Sequence, residues 1–288
     1  MTNQPPPIEG VRRSFVTARG VRFHVTESGP PDGRPVLALH GWPQHHWVYR
    51  DLLADPPPGL RIIAPDLPGY GWSGPPPHRW AKEDVVSDLI ALMDALGLDR
   101  VLLVGHDWGG FIGYLLTLRV PERIEGYLVL NMAHPWVPPK VLARHAWRLL
   151  MYQPLIAIAG VPVQRRTGFL DRAYRAASEI DPQTARVYTE RFRDPVVART
   201  GRDTYRTFLV REVPNGMRSG ERRRSTVPTR VLFGKDDTAV APQLAAVETA
   251  RADDYTVEVV DGGHFIVDEQ PDLVRAKLIA LAEETATT

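Results

Sequence analysis

The chain has 288 residues, 43% of them hydrophobic, which is enough for one large core with an inserted subdomain or for two modest domains. Thirty-five basic residues against 34 acidic ones leave a formal charge of +1, hence no global field to attract nucleic acid or an anionic membrane, and a small neutral partner is expected. The absence of cysteine excludes a disulfide framework, a thiolate metal site and a cysteine nucleophile.

The N-terminal stretch has neither the basic start nor the apolar run of a secretory signal, and a cytoplasmic protein is expected. Arg12–Ala18 and Val21–Thr26 read as an opening pair of strands. Val36–His40, Arg61–Pro65, Val101–Gly105 and Arg123–Asn131 are short apolar runs closed by turn residues, as buried parallel strands are. Between them, Trp80–Leu96 carries Val85, Leu89, Leu92 and Leu96 at helical spacing and stops at Gly97, a suitable C-terminal cap. From His134 the rhythm changes to helical segments rich in Arg and Tyr, broken by Pro154, Pro162, Pro182, Pro195 and Pro214. Residues 134–224 are read as a helical cap inserted between two parts of one core, 1–133 and 225–288. Within it the apolar stretch Leu149–Val163 is short for a bilayer and holds two prolines, so it is expected to be buried or to line a cleft. Strands resume at Thr229–Gly234 and Tyr255–Val260, with a helix from Pro242 to about Arg251 and a last helix from Pro271. This alternation predicts an α/β fold, a mostly parallel sheet flanked by helices. The basic runs Arg165–Arg166 and Arg222–Arg224 have no aromatic platform and read as solvated surface.

The chemistry concentrates where strands end. In Gly105-His106-Asp107-Trp108-Gly109-Gly110 a strand runs into a helix with small residues on both sides of Asp107, the outline of a nucleophile elbow. The bland alternative is an aspartate that merely caps the helix. A carboxylate attacking an acyl carbon makes an anhydride, but at a saturated carbon it displaces a leaving group and forms an alkyl ester. An epoxide or a carbon–halogen bond is therefore the expected electrophile. His264, in Gly262-Gly263-His264 after the last strand, falls at the carboxyl edge of the sheet as general base toward the hydrolytic water, neutral near pH 7. The acid that orients it lies at Asp236 or Asp237, with Asp261 a weaker third candidate. On the opposite edge, His40-Gly41-Trp42-Pro43 aims the Trp42 N–H inward, to form an oxyanion hole with the Trp108 N–H. A cis Trp42–Pro43 bond is compatible with this turn. His40 itself reads as a buried structural hydrogen-bonder.

Together with Ala64-Pro65-Asp66-Leu67-Pro68-Gly69-Tyr70-Gly71-Trp72-Ser73, these motifs resemble the epoxide hydrolase and haloalkane dehalogenase branch of the α/β-hydrolase fold family, more closely the epoxide hydrolases. The resemblance covers both core halves and weakens in the cap. It implies an Asp107–His264–Asp237 triad, Asp237 being favoured because it stands three residues after the turn Gly234. It also implies two cap tyrosines that protonate the opening epoxide oxygen. Tyr205, in Thr204-Tyr205-Arg206, is similar to the second. The first position falls on Arg148, with Tyr152 as the substitute, and each tyrosine can also be read as a packing residue. Trp42, Trp108 and Phe265, with residues 149–158, are candidates to line a substrate tunnel. The readings carried forward are an epoxide hydrolase giving a vicinal diol, a haloalkane dehalogenase giving alcohol and halide, and a non-catalytic ligand-binding member of the fold. No cofactor, metal, nucleic acid or membrane partner is expected beyond a small apolar substrate and water, and monomer and homodimer stay open.

Overall fold

The computed structural model describes residues 4–166, 168–214, 224–246 and 251–286. Its centre is an eight-stranded sheet: β1 (Arg12–Ala18), β2 (Val21–Ser28), β3 (Arg34–Leu39), β4 (Leu60–Pro65), β5 (Val101–His106), β6 (Ile124–Leu130), β7 (Thr229–Gly234) and β8 (Tyr255–Val260). The spatial order is β1-β2-β4-β3-β5-β6-β7-β8. The first hairpin pairs antiparallel and joins β4 antiparallel, and every other pairing is parallel.

Side chains alternate across the central strands, so each strand feeds both faces. Leu37, Leu39, Leu103, Val129 and Phe233 join one buried cluster with α2 (Lys82–Ala95) and α3 (Trp108–Arg119). Val36, Ala38, Leu102, Val104, Leu128 and Leu232 join the other, with α1 (Arg50–Ala54) and the C-terminal helix Pro271–Ala286. Being covered on both faces, these strands read in sequence as continuous apolar runs.

Between β6 and β7 lie α4 (Pro139–Leu150), α5 (Gln153–Arg166), α6 (Phe169–Ala177), α7 (Pro182–Thr189), α8 (Pro195–Thr207) and a π-helical turn, Phe208–Glu212. α5 packs on α8 with Gln153, Ile156, Ala157, Gly160 and Gln164 buried, and leaves helical geometry at Ala159, three residues before Pro162. The expectation that Leu149–Val163 is buried or lines a cleft fails for four of its large side chains: Leu150, Met151, Leu155 and Ile158 are exposed. The segment is apolar on all sides, and only one side has a partner.

The helix expected from Pro242 to about Arg251 is a 3-10 turn over Pro242–Ala245 in its described part, and 247–250 lie outside the described residues. Arg222 and Arg223 of the second basic run also lie outside them. Two further helices close the chain, α9 (Ile266–Glu269) and α10 (Pro271–Ala286).

Candidate active site

β5 delivers its last residue into a turn that no extended or helical backbone can make. Asp107 sits at φ +47°, ψ −124°, a region that costs a non-glycine residue about 1–3 kcal/mol. The turn fits because its neighbours lack side chains. A Cβ on Gly109 would come within 2.2 Å of the Leu39 carbonyl oxygen, and one on Gly41 within 2.4 Å of the Asp107 Cβ. Asp107 precedes α3 yet makes no side-chain capping bond to it. Its Oδ2 instead accepts the Trp42 N–H at 2.8 Å. Burial pushes the carboxyl up to about 6, against the lowering effects of His264 and of the Trp42 and Trp108 N–H groups. The Trp42–Pro43 bond is cis. His40 donates from Nδ1 to the Gly41 carbonyl and accepts the Leu67 N–H at Nε2, so it is the structural residue its sequence context suggests.

His264 stands on the loop between β8 and α9, its own N–H bonded to the Ala177 carbonyl at the end of α6. Its Nδ1 is 2.8 Å from Asp237 Oδ2, and its Nε2 is 3.9 Å from Asp107 Oδ1. Burial alone lowers an imidazole, but Asp237, by charge and hydrogen bond, and then Asp107 outweigh it and raise His264 to about 9. The expectation of a neutral His264 near pH 7 is therefore corrected for the resting protein: between two buried carboxylates the imidazolium is the favoured form.

Of the three aspartates open in sequence, Asp237 is the buried one. Asp236 is exposed, and Asp261 is exposed and paired with Lys235. Asp237 Oδ1 accepts the Ala239 and Val240 N–H groups, while Oδ2 accepts His264 and the side-chain amide of Asn131 at 2.7 Å. Asn131 was missed in sequence. It follows β6 at φ +47°, also donates to the Gly263 carbonyl, and accepts the Gly234 N–H. An asparagine just after a buried strand was its only local signal.

Above Asp107, Tyr205 of α8 is buried with its ring edge-on to Trp42, Trp108 and Tyr152, at centroid distances of 5.2, 5.3 and 5.9 Å. Tyr152 occupies the turn between α4 and α5. Burial raises both phenols above their ordinary range, and the Asp107 charge raises each further, so both stay protonated donors. The Trp42 indole N–H is committed to Gln164 Oε1 of α5 at 2.8 Å, whereas that of Trp108 is buried with no hydrogen-bond partner among the described residues.

Two cations tie this assembly together. Lys82 is buried, donates to the Thr204 carbonyl at 2.6 Å, pairs with Glu212 at 2.8 Å and lies 4.3 Å over the Trp108 ring. Burial lowers it to about 8, with Glu212 opposing. Arg148, where the family resemblance called for a tyrosine, donates to the Asp237 carbonyl at 2.8 Å. Phe265 stacks on Tyr174 at 4.3 Å, meets the His264 ring edge-on at 5.0 Å and belongs to the opposite core cluster from Trp42 and Trp108.

His24, His46 and Asp66 bring three ligand-type atoms within 4.8 Å of one another. Both Asp66 oxygens are already taken: Oδ1 accepts the backbone N–H and Nδ1 of His46, and Oδ2 accepts His24 Nδ1 and the Trp72 N–H. This cluster pins the turn at 66–73 and does not suit a metal. An open groove of about 940 Å³ between residues 75–80 and the outer side of α8 contains none of Asp107, His264, Asp237, Tyr152 and Tyr205.

Comparison with known proteins adds four findings. The model of the alpha/beta hydrolase fold family matches residues 34–271. The chain is 31% identical to haloalkane dehalogenase 2 of Mycobacterium tuberculosis over 281 residues, 93% of each chain. It is 27% identical to epoxide hydrolase 4 of Mus musculus over 290 residues, 92% of this chain and 78% of that one. Among solved structures, an epoxide hydrolase from Vigna radiata superposes with a TM-score of 0.78 at 22% identity, over 97% of this chain and 99% of that one, a likeness of fold.

Proposed function

This chain belongs to the α/β-hydrolase fold family, and we propose that it is an epoxide hydrolase that works through an ester on Asp107. The observation that carries this reading is a pair of protonated phenols, the buried Tyr205 and the half-buried Tyr152, set edge to face beside the Asp107 carboxylate. An opening epoxide needs a proton on oxygen, and a phenol supplies one where an indole N–H cannot. The helices between β6 and β7 act as the cap, residues 134–224, that brings both tyrosines over the nucleophile.

The Asp107 carboxylate attacks a ring carbon, the C–O bond breaks, and a tyrosine proton passes to the departing oxygen. Ester formation cancels the negative charge 3.9 Å from His264, which weakens its hold on the proton. That proton restores the phenolate and leaves His264 neutral. Water then gives a proton to His264 and attacks the Asp107 carboxyl carbon. The resulting oxyanion is held by the Trp42 and Trp108 N–H groups, collapse returns the proton to the leaving diol oxygen, and the Asp107 carboxyl, left protonated, passes its proton to His264 to restore the resting ion pair. Asp237 keeps Nδ1 protonated and stabilises the imidazolium throughout.

A haloalkane dehalogenase is the second reading, favoured by the unpartnered Trp108 indole N–H as a halide donor. Against it, the Trp42 indole is held by Gln164. A paired screen of styrene-type epoxides and short haloalkanes tests the choice. Diol formation without halide release supports the epoxide reading, and halide release without diol overturns it. In heavy-oxygen water a single turnover should label Asp107 before the product.

A further inference from the structure

We propose that the outer face of α4 and α5 docks on an anionic lipid surface. The proposal stands on exposure and charge, and it holds whether or not the site opens epoxides. Trp147, Leu150, Met151, Leu155 and Ile158 are all exposed, Met151 at 73% and Ile158 at 82% of full accessibility. Leu150 and Met151 stand three and four residues after Trp147 at the end of α4, and Leu155 and Ile158 stand three apart on α5, so apolar side chains face outward on both sides of the turn between the helices. Large contiguous apolar patches of this kind mark interaction surfaces.

Charge identifies the partner. From Gly126 to Leu170 the chain has five Lys or Arg residues and no Asp or Glu, although the whole chain is nearly neutral. Lys140 and Arg144 precede Trp147 and Met151 at helical spacing, and Arg165 and Arg166 stand at the end of α5. Lys140, Arg144 and Arg166 are exposed and have no carboxylate partner among the described residues. An apolar centre with basic flanks is the composition of a helix that lies in the plane of a membrane interface.

Two other occupants fit less well. A second copy meeting this face across a two-fold axis would set the same cations against each other with no acid to pair them. A bilayer span is long enough on paper, since Pro139–Arg166 covers 28 residues, but Gln153, Ile156, Ala157, Gly160 and Gln164 hold α5 against α8. Docking therefore leaves the fold intact. It also sets Tyr152, the neighbour of the outward Met151, directly beneath the lipid surface. An apolar substrate dissolved in the membrane then enters without crossing bulk water.

The test is flotation of the full chain with phosphatidylcholine vesicles, with and without phosphatidylglycerol, at low and at high salt. Binding is expected only with phosphatidylglycerol, weakened by salt, with Trp147 emission quenched by brominated acyl chains. Each surface cation contributes about fivefold to partitioning, about 1 kcal/mol, so Lys140→Glu with Arg144→Glu should lower it by at least about twentyfold. Met151→Ser with Ile158→Ser should also abolish flotation while leaving the melting temperature unchanged. Absence of flotation with phosphatidylglycerol vesicles overturns the proposal. So does retention of binding by both double variants. Concentration-dependent dimerisation in light scattering, lost in Met151→Ser with Ile158→Ser and without vesicle binding, assigns the face to a second copy instead.

Discussion

Asp107 combines a left-handed backbone with a carboxylate that is only 4% exposed, and both work against the folded state. Because its pKa is raised from 3.8 to about 6, the folded state binds the proton more tightly than the unfolded one. The penalty is thus absent below about pH 4 and grows as pH rises through 6. Asp107→Asn should gain on the parent over that window, by about 3 kcal/mol at most, and a pH-independent difference in denaturant midpoint would refute this. The same variant should form no ester. Asn131→Ala removes one of four donors to Asp237 and the acceptor of the Gly234 N–H. A loss of about 1–3 kcal/mol is expected, with ester hydrolysis slowed about tenfold and ester formation unchanged, so that the ester accumulates in rapid-quench experiments. Asp107 and His264 were legible in sequence because an elbow and a loop after the last strand are local patterns. Asn131 was not, since its partner Asp237 is 106 positions away and nothing near it in the chain announces the bond.

Between elements, Lys82 is the clearest device, joining the start of α2 to the end of α8 and to the π-helical turn beside it. Lys82→Met should leave the half-buried Glu212 without its cation and lower stability by about 3 kcal/mol, whereas Lys82→Met with Glu212→Leu should recover much of it. Additive losses in that double-mutant cycle would mean that the pair is not coupled. The strands themselves were readable to within a residue or two, and burial on both faces writes the central ones, β3 to β7, as short apolar runs. Leu149–Val163 shows where this logic stops. Composition reports that a helix is apolar, but only packing decides which side faces α8 and which faces out. Gln153 and Gln164, the polar residues of that region, are buried, and Ile158 is not.

For the molecule as a whole, the helices between β6 and β7 are bound to the sheet layer by buried polar ties. Asp268 of α9 accepts from Arg50 of α1, from Tyr188 of α7 at 2.8 Å and from Gln44 at 2.8 Å. One cooperative thermal transition is expected. Asp268→Ala, which removes the acceptor from all three donors, should lower its midpoint by about 5–10 °C, from about 3 kcal/mol of lost pairing, and a variant with the parental midpoint would show these ties to be dispensable. The bond from Trp42 to Gln164 adds something different in kind. One residue offers its backbone N–H to the Asp107 carboxylate and its indole N–H to α5. Lifting α5 away therefore tugs on the very group proposed to receive the oxyanion. Under the proposed mechanism the arrangement would act as an interlock: with the cap raised for entry or exit the hydrolytic step would be disarmed, and a half-open molecule would hold its ester until it closed.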